Sequence, residues 1–300
     1  MERNERFDQA DRVIKIGFLL NAILMVMKLL AGYYGKSEAV FADGVESACD
    51  FVALLSTMVA LRISRRPLDK QHPYGHGRAE SISAIIVALV ILVTGIGILY
   101  QAVDTILHDR HETPALIAVL AALVTIVIKE GLYRYSVRAG AQLGSPSLLA
   151  VAKDHRKDAL TSVATLIGVT GAFFGLRIMD PIAAGLTALF IFKIGYETFS
   201  SGAQELMDAK LSEEVIRKMT RLARGVAGVD HVHEVKGRRS GQYMIVDMKL
   251  EMDPEMTVRR SHEIAANVKR AIFEKFPTVG DVMIHVNPHD DGKHEDLIRL

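Results

Sequence analysis

The sequence lacks most features that would place it in a secreted or nucleic-acid-binding class. Cys49 is the only cysteine among 300 residues, so no disulfide framework can form within one chain. The formal net charge is only +1 at pH 7, and no basic surplus indicates a nucleic-acid partner. Segment 1–12 is charged and mixed in sign, without the apolar core and cleavage site of a secretory signal. These absences argue against a disulfide-stapled secreted domain.

Charge is also missing from two long stretches, 81–103 and 159–176. An α-helix needs about 20 predominantly apolar residues to cross roughly 30 Å of hydrocarbon. The stretches therefore predict membrane-spanning helices, and we expect the first apolar helix to act as its own insertion signal. Beyond about residue 205 charges become dense and long apolar runs end. We predict a transmembrane domain over 1–205, a soluble domain over 206–290 and a tail over 291–300.

Hydropathy predicts a membrane α-helical bundle of six transmembrane helices. Lys28, Lys129 and Glu130 fall inside these helices. Charges are costly in lipid, so these side chains should face the bundle interior or extend to an interface. The six spans are placed near 13–34, 39–63, 81–107, 114–138, 147–174 and 178–199.

Basic residues in the short loops predict the orientation, because loops rich in Lys and Arg stay cytoplasmic. The loop after the second span is strongly basic, and Arg134 and Arg138 lie near the loop after the fourth. The other three loops carry a single basic residue each. We therefore expect both termini and the soluble domain on the cytoplasmic side of the cytoplasmic (inner) membrane. The basic residues after the second span are Arg62, Arg65, Arg66, Lys70 and Arg78.

The soluble segment reads as helix, strand, strand, helix and strand. Apolar side chains alternate from Met244 to Met252, and the turn Ser240-Gly241 joins the two middle strands as a hairpin. An α-β-β-α-β order predicts an α+β domain with helices on one face of a small sheet, close to the ferredoxin-like plan. The predicted elements cover about 212–225, 231–239, 242–252, 258–275 and 279–287.

Carboxylates inside two apolar helices are the most informative feature. Glu46 and Asp50 are four residues apart in the second span. Asp154 and Asp158 repeat that spacing in the fifth. Residues four apart share a helix face, and Asp43 lies on much the same face as Glu46. Like charges do not gather in a low dielectric without a cation or protons. The pattern predicts a hard divalent cation with oxygen ligands.

A second interpretation stays open for the fifth helix. If that helix begins near Asp158, then Asp154 lies at the level of the lipid headgroups. The neighbouring Lys153, Arg156 and Lys157 would then neutralise both acids in a surface cluster.

Histidines mark two further candidate clusters. In the basic loop, Asp69, His72 and His76 flank Pro and Gly residues that form a tight turn. The three can surround a divalent ion, and a solvated charged loop is the alternative interpretation. The soluble domain holds five histidines together with Asp247, and the group is more informative than any member. The five are His231, His233, His262, His285 and His289.

Three local motifs, taken together, resemble the cation diffusion facilitator family of proton-coupled divalent-metal exporters. They are ADGVESACD from Ala42, HPYGHGRAE from His72 and DHRKDALTS from Asp154. The six spans, the basic loop and the soluble domain are also similar to the family, so the resemblance covers nearly the whole chain. It implies a transporter and not an enzyme. The sequence also lacks the short motifs of zinc proteases, serine hydrolases and nucleotide-binding loops.

The resemblance places a transport site on two residues of the second span and two of the fifth. These positions are Glu46, Asp50, Asp154 and Asp158. Zinc-transporting members usually have a histidine among the four, whereas every position here is a carboxylate. An all-oxygen set favours Mn²⁺ or Fe²⁺ over Zn²⁺, and export of zinc or a broad range of divalent cations is the alternative. Asn21 and Asp43 are candidate accessory ligands.

The resemblance also implies a loop site at Asp69, His72 and His76. It further implies a salt bridge between a basic residue after the second span and an acid at the domain junction. The matching positions are Arg78 and Asp208.

A third implied site lies in the cytoplasmic domain. The family positions fall on His233, Lys249, His262, His285 and Asn287. A charged lysine cannot ligate, so a full two-metal site is not expected. Asp247, His262 and His285, with His233 as a further candidate, form the reduced expectation.

These expectations combine into a mechanism of metal–proton antiport. Four carboxylates around one divalent cation leave surplus negative charge, so the empty site should hold protons. Cytoplasmic metal would displace these protons, and protons from the other side would displace metal, as helices rock around a deep site. We expect a homodimer whose cytoplasmic domain stiffens on binding metal, and no cofactor beyond the transported ion. A non-transporting membrane metal sensor or scaffold is the remaining alternative.

Overall fold

The computed structural model describes residues 3–110, 112–143 and 145–289. The predicted tail, 291–300, lies outside the described residues. Each predicted span overlaps one long helix, so the six-helix prediction is confirmed. The helices are α1 (Arg3–Tyr34), α2 (Glu38–Ser64), α3 (Ala79–Leu107), α4 (Leu116–Leu143), α5 (Pro146–Phe173) and α6 (Met179–Leu206).

Within the described residues, five of these helices are long and apolar enough to cross a membrane, and α5 is not among them. The first half of α5 carries the charged run from Lys153 to Asp158, which lowers its mean hydropathy. The outer surface is apolar: Val93 is 70% exposed and Ile86 is 57% exposed on α3. Large apolar side chains facing outward are the surface that lipid requires. The N-terminal part is therefore a multi-pass membrane domain.

Small residues form the interior of this helical bundle. Ala42, Ala102 and Ala184 of α2, α3 and α6 make one buried cluster. A second cluster brings α1, α2, α4 and α5 together through residues such as Ala122 and Val169. Small side chains let helix backbones approach closely in a membrane. Because small apolar residues fill most of this interior, a buried polar side chain in the bundle is conspicuous.

The chain divides into two compact units. One contains Met1–Ser56 and Ile86–Phe199, and the other contains Thr57–Ile85 and Ser200–Leu300. The second unit therefore includes the basic loop and the helix ends that flank it, as well as the soluble domain.

The soluble domain confirms the α-β-β-α-β prediction. Its strands lie in the order β1-β2-β3, with β1 and β2 antiparallel and β2 and β3 parallel. Gly241, in the two-residue turn between β1 and β2, has φ +60°, which glycine adopts without steric cost. The elements are α7 (Glu213–Arg224), β1 (His231–Ser240), β2 (Tyr243–Met252), α8 (Val258–Lys275) and β3 (Val279–Pro288).

The two faces of the central strand β2 have different roles. Val246 and Leu250 are fully buried against apolar residues of both helices, including Met219 and Ile264. Burying such side chains contributes roughly 1.5–3 kcal/mol each. The alternate residues, from Asp247 to Glu251, belong to the other face of the sheet. The helices thus cover one face, and polar side chains occupy the other.

Candidate metal sites

A cavity of about 100 Å³ inside the helical bundle collects polar side chains from four helices. Asp50 of α2 and Asp158 of α5 both line it, so carboxylates from two helices share one space. A water occupies about 30 Å³ of liquid volume, so the cavity has room for a cation with a small hydration shell. Its lining residues are Phe18, Asn21, Ser47, Asp50, Phe51, Leu54, Lys129 and Asp158.

Two oxygen atoms next to this cavity are buried without a hydrogen-bond donor among the described residues. One is Oε2 of Glu46, a residue one helical turn before Asp50 and only 7% exposed. The other is Oδ1 of Asn21. A buried oxygen without a donor is costly, and a bound cation or a proton removes the cost. The structure therefore groups Glu46, Asp50, Asp158 and Asn21 as oxygen donors.

Lys129 lies in this group, which the sequence alone does not reveal. Its Nζ donates to Oδ2 of Asp158 at 2.6 Å, and Lys129 is only 4% exposed. The sequence predicts that Lys129 faces the bundle or an interface, but it does not predict the partner. A lysine in an apolar helix is nevertheless a signal, because a buried ammonium requires an acid. The site thus contains a basic side chain of the protein's own.

Asp43, predicted as an accessory ligand, is already paired. Lys28 Nζ donates to Oδ1 of Asp43 at 2.9 Å and to its backbone carbonyl at 3.1 Å. The Ser162 hydroxyl donates to Oδ2 at 3.1 Å. Asp43 therefore links α1, α2 and α5, and its buried position favours a structural role.

Breaking this pair from one side should destabilise the protein strongly. In Lys28→Met, Asp43 stays buried without its cation, and loss of one partner of such a pair costs about 3–5 kcal/mol. Adding Asp43→Asn should recover most of that loss, because the amide needs no counter-ion. Thermal unfolding of the full-length protein in detergent measures both effects.

A matched control is available at Lys36, whose exposed Nζ lies 3.1 Å from Glu112. Exposed pairs contribute at most about 1 kcal/mol, so Lys36→Met should change stability little. Equal destabilisation by Lys28→Met and Lys36→Met would contradict a buried structural pair.

Asp154 is not gathered with the other three predicted carboxylates. It lies exposed on α5 and does not line the cavity. The reason is the orientation of α5. Buried residues recur along this helix every three or four positions, and the series includes His155, the residue directly after Asp154. His155 is 4% exposed, and its Nε2 has no hydrogen-bond partner among the described residues. Around Asp154 and Asp158, the buried positions of α5 are Ala152, His155, Ala159 and Ser162.

The loop trio is brought together as predicted. Oδ1 of Asp69 accepts hydrogen bonds from the backbone N–H of His72 at 2.6 Å and of Gln71 at 2.8 Å. The Nδ1 of His72 lies 3.2 Å from Oδ1, and the Nε2 of His76 lies 3.5 Å from Oδ2. One ligand atom from each of the three lies within 4.8 Å of the others. The turn thus presents two imidazoles and a carboxylate on a single loop.

Hydrogen bonds also keep the loop carboxylate ready to ligate. The backbone N–H of His72, and then that of Gln71, hold the pKa of Asp69 below its usual range. Because its pKa is depressed, Asp69 stays ionised down to a lower pH than an ordinary aspartate does. The ligand oxygens are therefore available at neutral pH.

Arg78 and Asp208 meet as the resemblance implies. Nη2 of Arg78 donates to Oδ1 of Asp208 at 2.5 Å, and its Nη1 donates to the Leu206 carbonyl at 3.2 Å. Asp208 has φ 59°, a left-handed conformation that ends the helix before the soluble domain. Arg238 also approaches Asp208, with Nε at 3.6 Å. The arginine thus ties the basic loop to the start of the soluble domain.

The set of ligands predicted for the soluble domain is not assembled within one chain. His262 lies exposed on α8, which covers one face of the sheet, whereas Asp247 and His285 belong to the opposite face. Asp247 lies 3.9 Å from Arg238, and His285 pairs in register with Lys249. Among the described residues, no metal-binding group within 4.8 Å unites these three. Sequence order cannot reveal this separation, because it depends on which face α8 covers.

Comparisons with known proteins cover both the helical and the soluble part of the chain. A family model described as the cation efflux transmembrane domain matches residues 14–207, and one described as the cation efflux protein cytoplasmic domain matches 211–289. The manganese efflux system protein MneP of Bacillus subtilis is 35% identical over 293 residues, covering 95% of this chain and 98% of that protein. MneS of the same organism is 30% identical over 288 residues, covering 96% and 99%. The magnetosome protein MamM of Magnetospirillum gryphiswaldense is 33% identical over 279 residues, covering 92% and 88%.

Proposed function

This chain belongs to the cation efflux family, also called cation diffusion facilitators, and from this premise we propose that it exports Mn²⁺ or Fe²⁺ in exchange for protons. Family membership makes it a divalent-cation transporter and not an enzyme. The observation that carries the finer proposal is the cavity where Asp50 and Asp158 meet. We assign Glu46 and Asn21 as the adjacent ligands.

The charges around the cavity support exchange of one divalent cation for protons. Four carboxylates, those of Asp43, Glu46, Asp50 and Asp158, are opposed by the buried ammonium groups of two lysines, Lys28 and Lys129. A third lysine of α5, Lys157, also acts on Asp50 but is exposed to solvent. Without this exposed lysine the balance is two negative charges, since the two buried lysines cancel two of the four. One divalent cation or two protons would neutralise it. Because buried net charge is costly, the site should alternate between these two occupants.

The metal preference follows from the ligand atoms. Every donor that we assign is a carboxylate or amide oxygen, and oxygen donors suit Mn²⁺ better than the softer late transition metals. His155 could offer a nitrogen, but it is not among the residues that line the cavity, to which α5 contributes Asp158. Two of the relatives are manganese efflux proteins, which supports the same preference.

Asp154 remains a proposed ligand of a different conformation. It precedes Asp158 by about one helical turn, and the family positions include it. Because transport requires helices to rock around the site, a rotation of α5 would bring Asp154 towards the cavity as the exposure of the site changes.

We place both termini and the soluble domain in the cytoplasm, and we propose that the protein is a homodimer. The basic loops after α2 and α4 support this orientation. The matched description of residues 211–289 as a cytoplasmic domain supports it as well. The proposed domain limits are 1–205 for transport and 206–290 for sensing and dimerisation.

Transport by the purified protein in liposomes tests the proposal. With an imposed pH gradient and a metal-sensitive dye inside, Mn²⁺ and Fe²⁺ should enter faster than Zn²⁺, and collapse of the gradient should stop entry. Exchange of two protons for one divalent ion moves no net charge, so clamping the membrane potential should leave the rate unchanged. Metal entry that ignores the pH gradient would contradict antiport. Metal-dependent changes in the dimer without any flux would favour a sensor or scaffold.

A further inference from the structure

The start of β1 lies beside the ends of β2 and β3, and this arrangement places ligand-bearing side chains at one end of the sheet. His231, the first residue of β1, pairs with Glu251 near the end of β2. Because β3 runs parallel to β2, its last residue lies beside Met252, and the backbone N–H of His289 donates to the Met252 carbonyl at 2.7 Å. Topology thus brings His231, Glu251 and His289 to one place.

A β-bulge adds a second histidine from β1. Val232 pairs with Leu250 and Glu234 pairs with Lys249, so His233 is the extra residue between two consecutive pairs. An extra residue bends its strand and redirects its side chain. His233 therefore reaches Glu251 as well, although it has no β2 residue of its own opposite it.

Glu251 is the centre of the cluster. Its Oε1 lies 3.2 Å from Nδ1 of His233 and 3.5 Å from Nδ1 of His231, and its Oε2 lies 2.8 Å from Nδ1 of His289. The Glu251 side chain is 8% exposed, whereas those of the three histidines are 34–54% exposed. A buried carboxylate is thus surrounded by three imidazoles that solvent can reach.

We propose that His231, His233, Glu251 and His289 form a binding site for a late divalent transition metal such as Zn²⁺, Co²⁺ or Ni²⁺. Ligand atoms of His231, His233 and Glu251 already lie within 4.8 Å of one another. A tetrahedral Zn²⁺ with bonds of about 2.0–2.1 Å holds its ligand atoms about 3.3 Å apart. Rotation of the exposed imidazoles is enough to close that difference.

The chemistry of this cluster differs from that of the transport site. Three imidazole nitrogens and one carboxylate favour ions late in the Irving–Williams order, whereas the all-oxygen cavity favours Mn²⁺. Three protonated imidazoles would place like charges within a few ångströms of each other, but neutral imidazoles around one divalent ion satisfy both the nitrogens and Glu251. The cluster also excludes Asp247, His262 and His285. The soluble domain therefore binds a metal that the transport site does not prefer.

Titration of the full-length protein in detergent tests the proposal. The background variant carries Asp50→Asn, Asp158→Asn and His72→Ala, which disable the transport and loop sites. We expect one Zn²⁺ per chain, bound at least about tenfold more tightly than Mn²⁺. Co²⁺ should give the visible absorption of a site with nitrogen ligands.

Two variants in that background locate the site. His231→Ala and His289→Ala should each weaken Zn²⁺ binding by about tenfold or more, and both positions are exposed enough to change without disturbing the core. His108→Ala is the matched control, since His108 is an exposed histidine outside the soluble domain, and it should change nothing.

Three results would overturn the proposal. They are Zn²⁺ binding that survives the double change His231→Ala with His289→Ala, Zn²⁺ binding lost with His285→Ala instead, and Mn²⁺ binding equal to Zn²⁺ binding. Because the transport site is disabled in the background, none of these results depends on whether the protein exports metal.

Discussion

Asp158→Asn and Asp50→Asn should each abolish Mn²⁺ entry into liposomes under an imposed pH gradient. Each change removes a charged oxygen from the cavity where the metal is proposed to bind. Loss of even an outer partner of a metal site costs about 10–100-fold, so loss of a direct ligand should lower the rate by more than about 100-fold. Asparagine has nearly the shape of aspartate, which keeps the helix packing intact. Initial rates with the metal-sensitive dye measure the effect.

Glu197→Gln is the matched control for these changes. Glu197 is an exposed acid on α6, 3.8 Å from Lys193, and its loss should leave the rate unchanged. Asp154→Asn should fall between the two results, because Asp154 is proposed to ligate only in a second conformation. Normal transport by both Asp50→Asn and Asp158→Asn would show that the metal passes elsewhere.

The comparison of Asp154 with Asp158 shows what sequence spacing can and cannot predict. Two residues four apart on a helix are separated by about 40° around its axis, so they share a face only approximately. The neighbours decide which of the two is buried. Here the Asp158 side chain is 27% exposed and contacts Lys129 inside the bundle, whereas Asp154 is exposed. The spacing therefore predicts a pair of carboxylates but not their separation in this conformation.

The elements themselves are predictable for a simple physical reason. Membrane helices need long uncharged runs, and a half-covered sheet needs alternation such as that from Met244 to Met252. Both requirements are visible in the sequence. The β-bulge at His233 is not, because it arises from the pairing register of β1 with β2. For that reason the sequence does not predict that Glu251 lies at the centre of a cluster, although it does draw attention to the histidines around it.

The pairing of Lys129 with Asp158 is a second feature that requires the structure, since it depends on which faces of α4 and α5 meet. It has a functional consequence. A cation bound to Asp158 at about 2.2 Å would lie within about 5 Å of the Lys129 ammonium, which already contacts that carboxylate at 2.6 Å. At an effective dielectric constant of about 20, each unit of positive charge on the metal is repelled by about 3 kcal/mol at a distance of about 5 Å, and a divalent cation carries two such charges. Lys129 therefore weakens metal binding and promotes release.

Lys129→Gln should consequently bind Mn²⁺ at least about 100-fold more tightly than the unmodified protein, since each 1.4 kcal/mol corresponds to about a factor of ten. The same change should slow transport, because tighter binding in one site is mostly slower dissociation. Titration calorimetry measures the affinity and the liposome assay measures the rate.

Lys129→Arg separates charge from shape in this prediction. It keeps a cation beside Asp158 and should restore the lower affinity and most of the rate. Lys193→Gln, which removes an exposed lysine from α6, should change neither quantity. If Lys129→Gln instead weakens Mn²⁺ binding, then Lys129 holds Asp158 in position for the metal and does not compete with it. Tighter binding with slower transport would show that the protein includes its own competing cation so that the metal can leave.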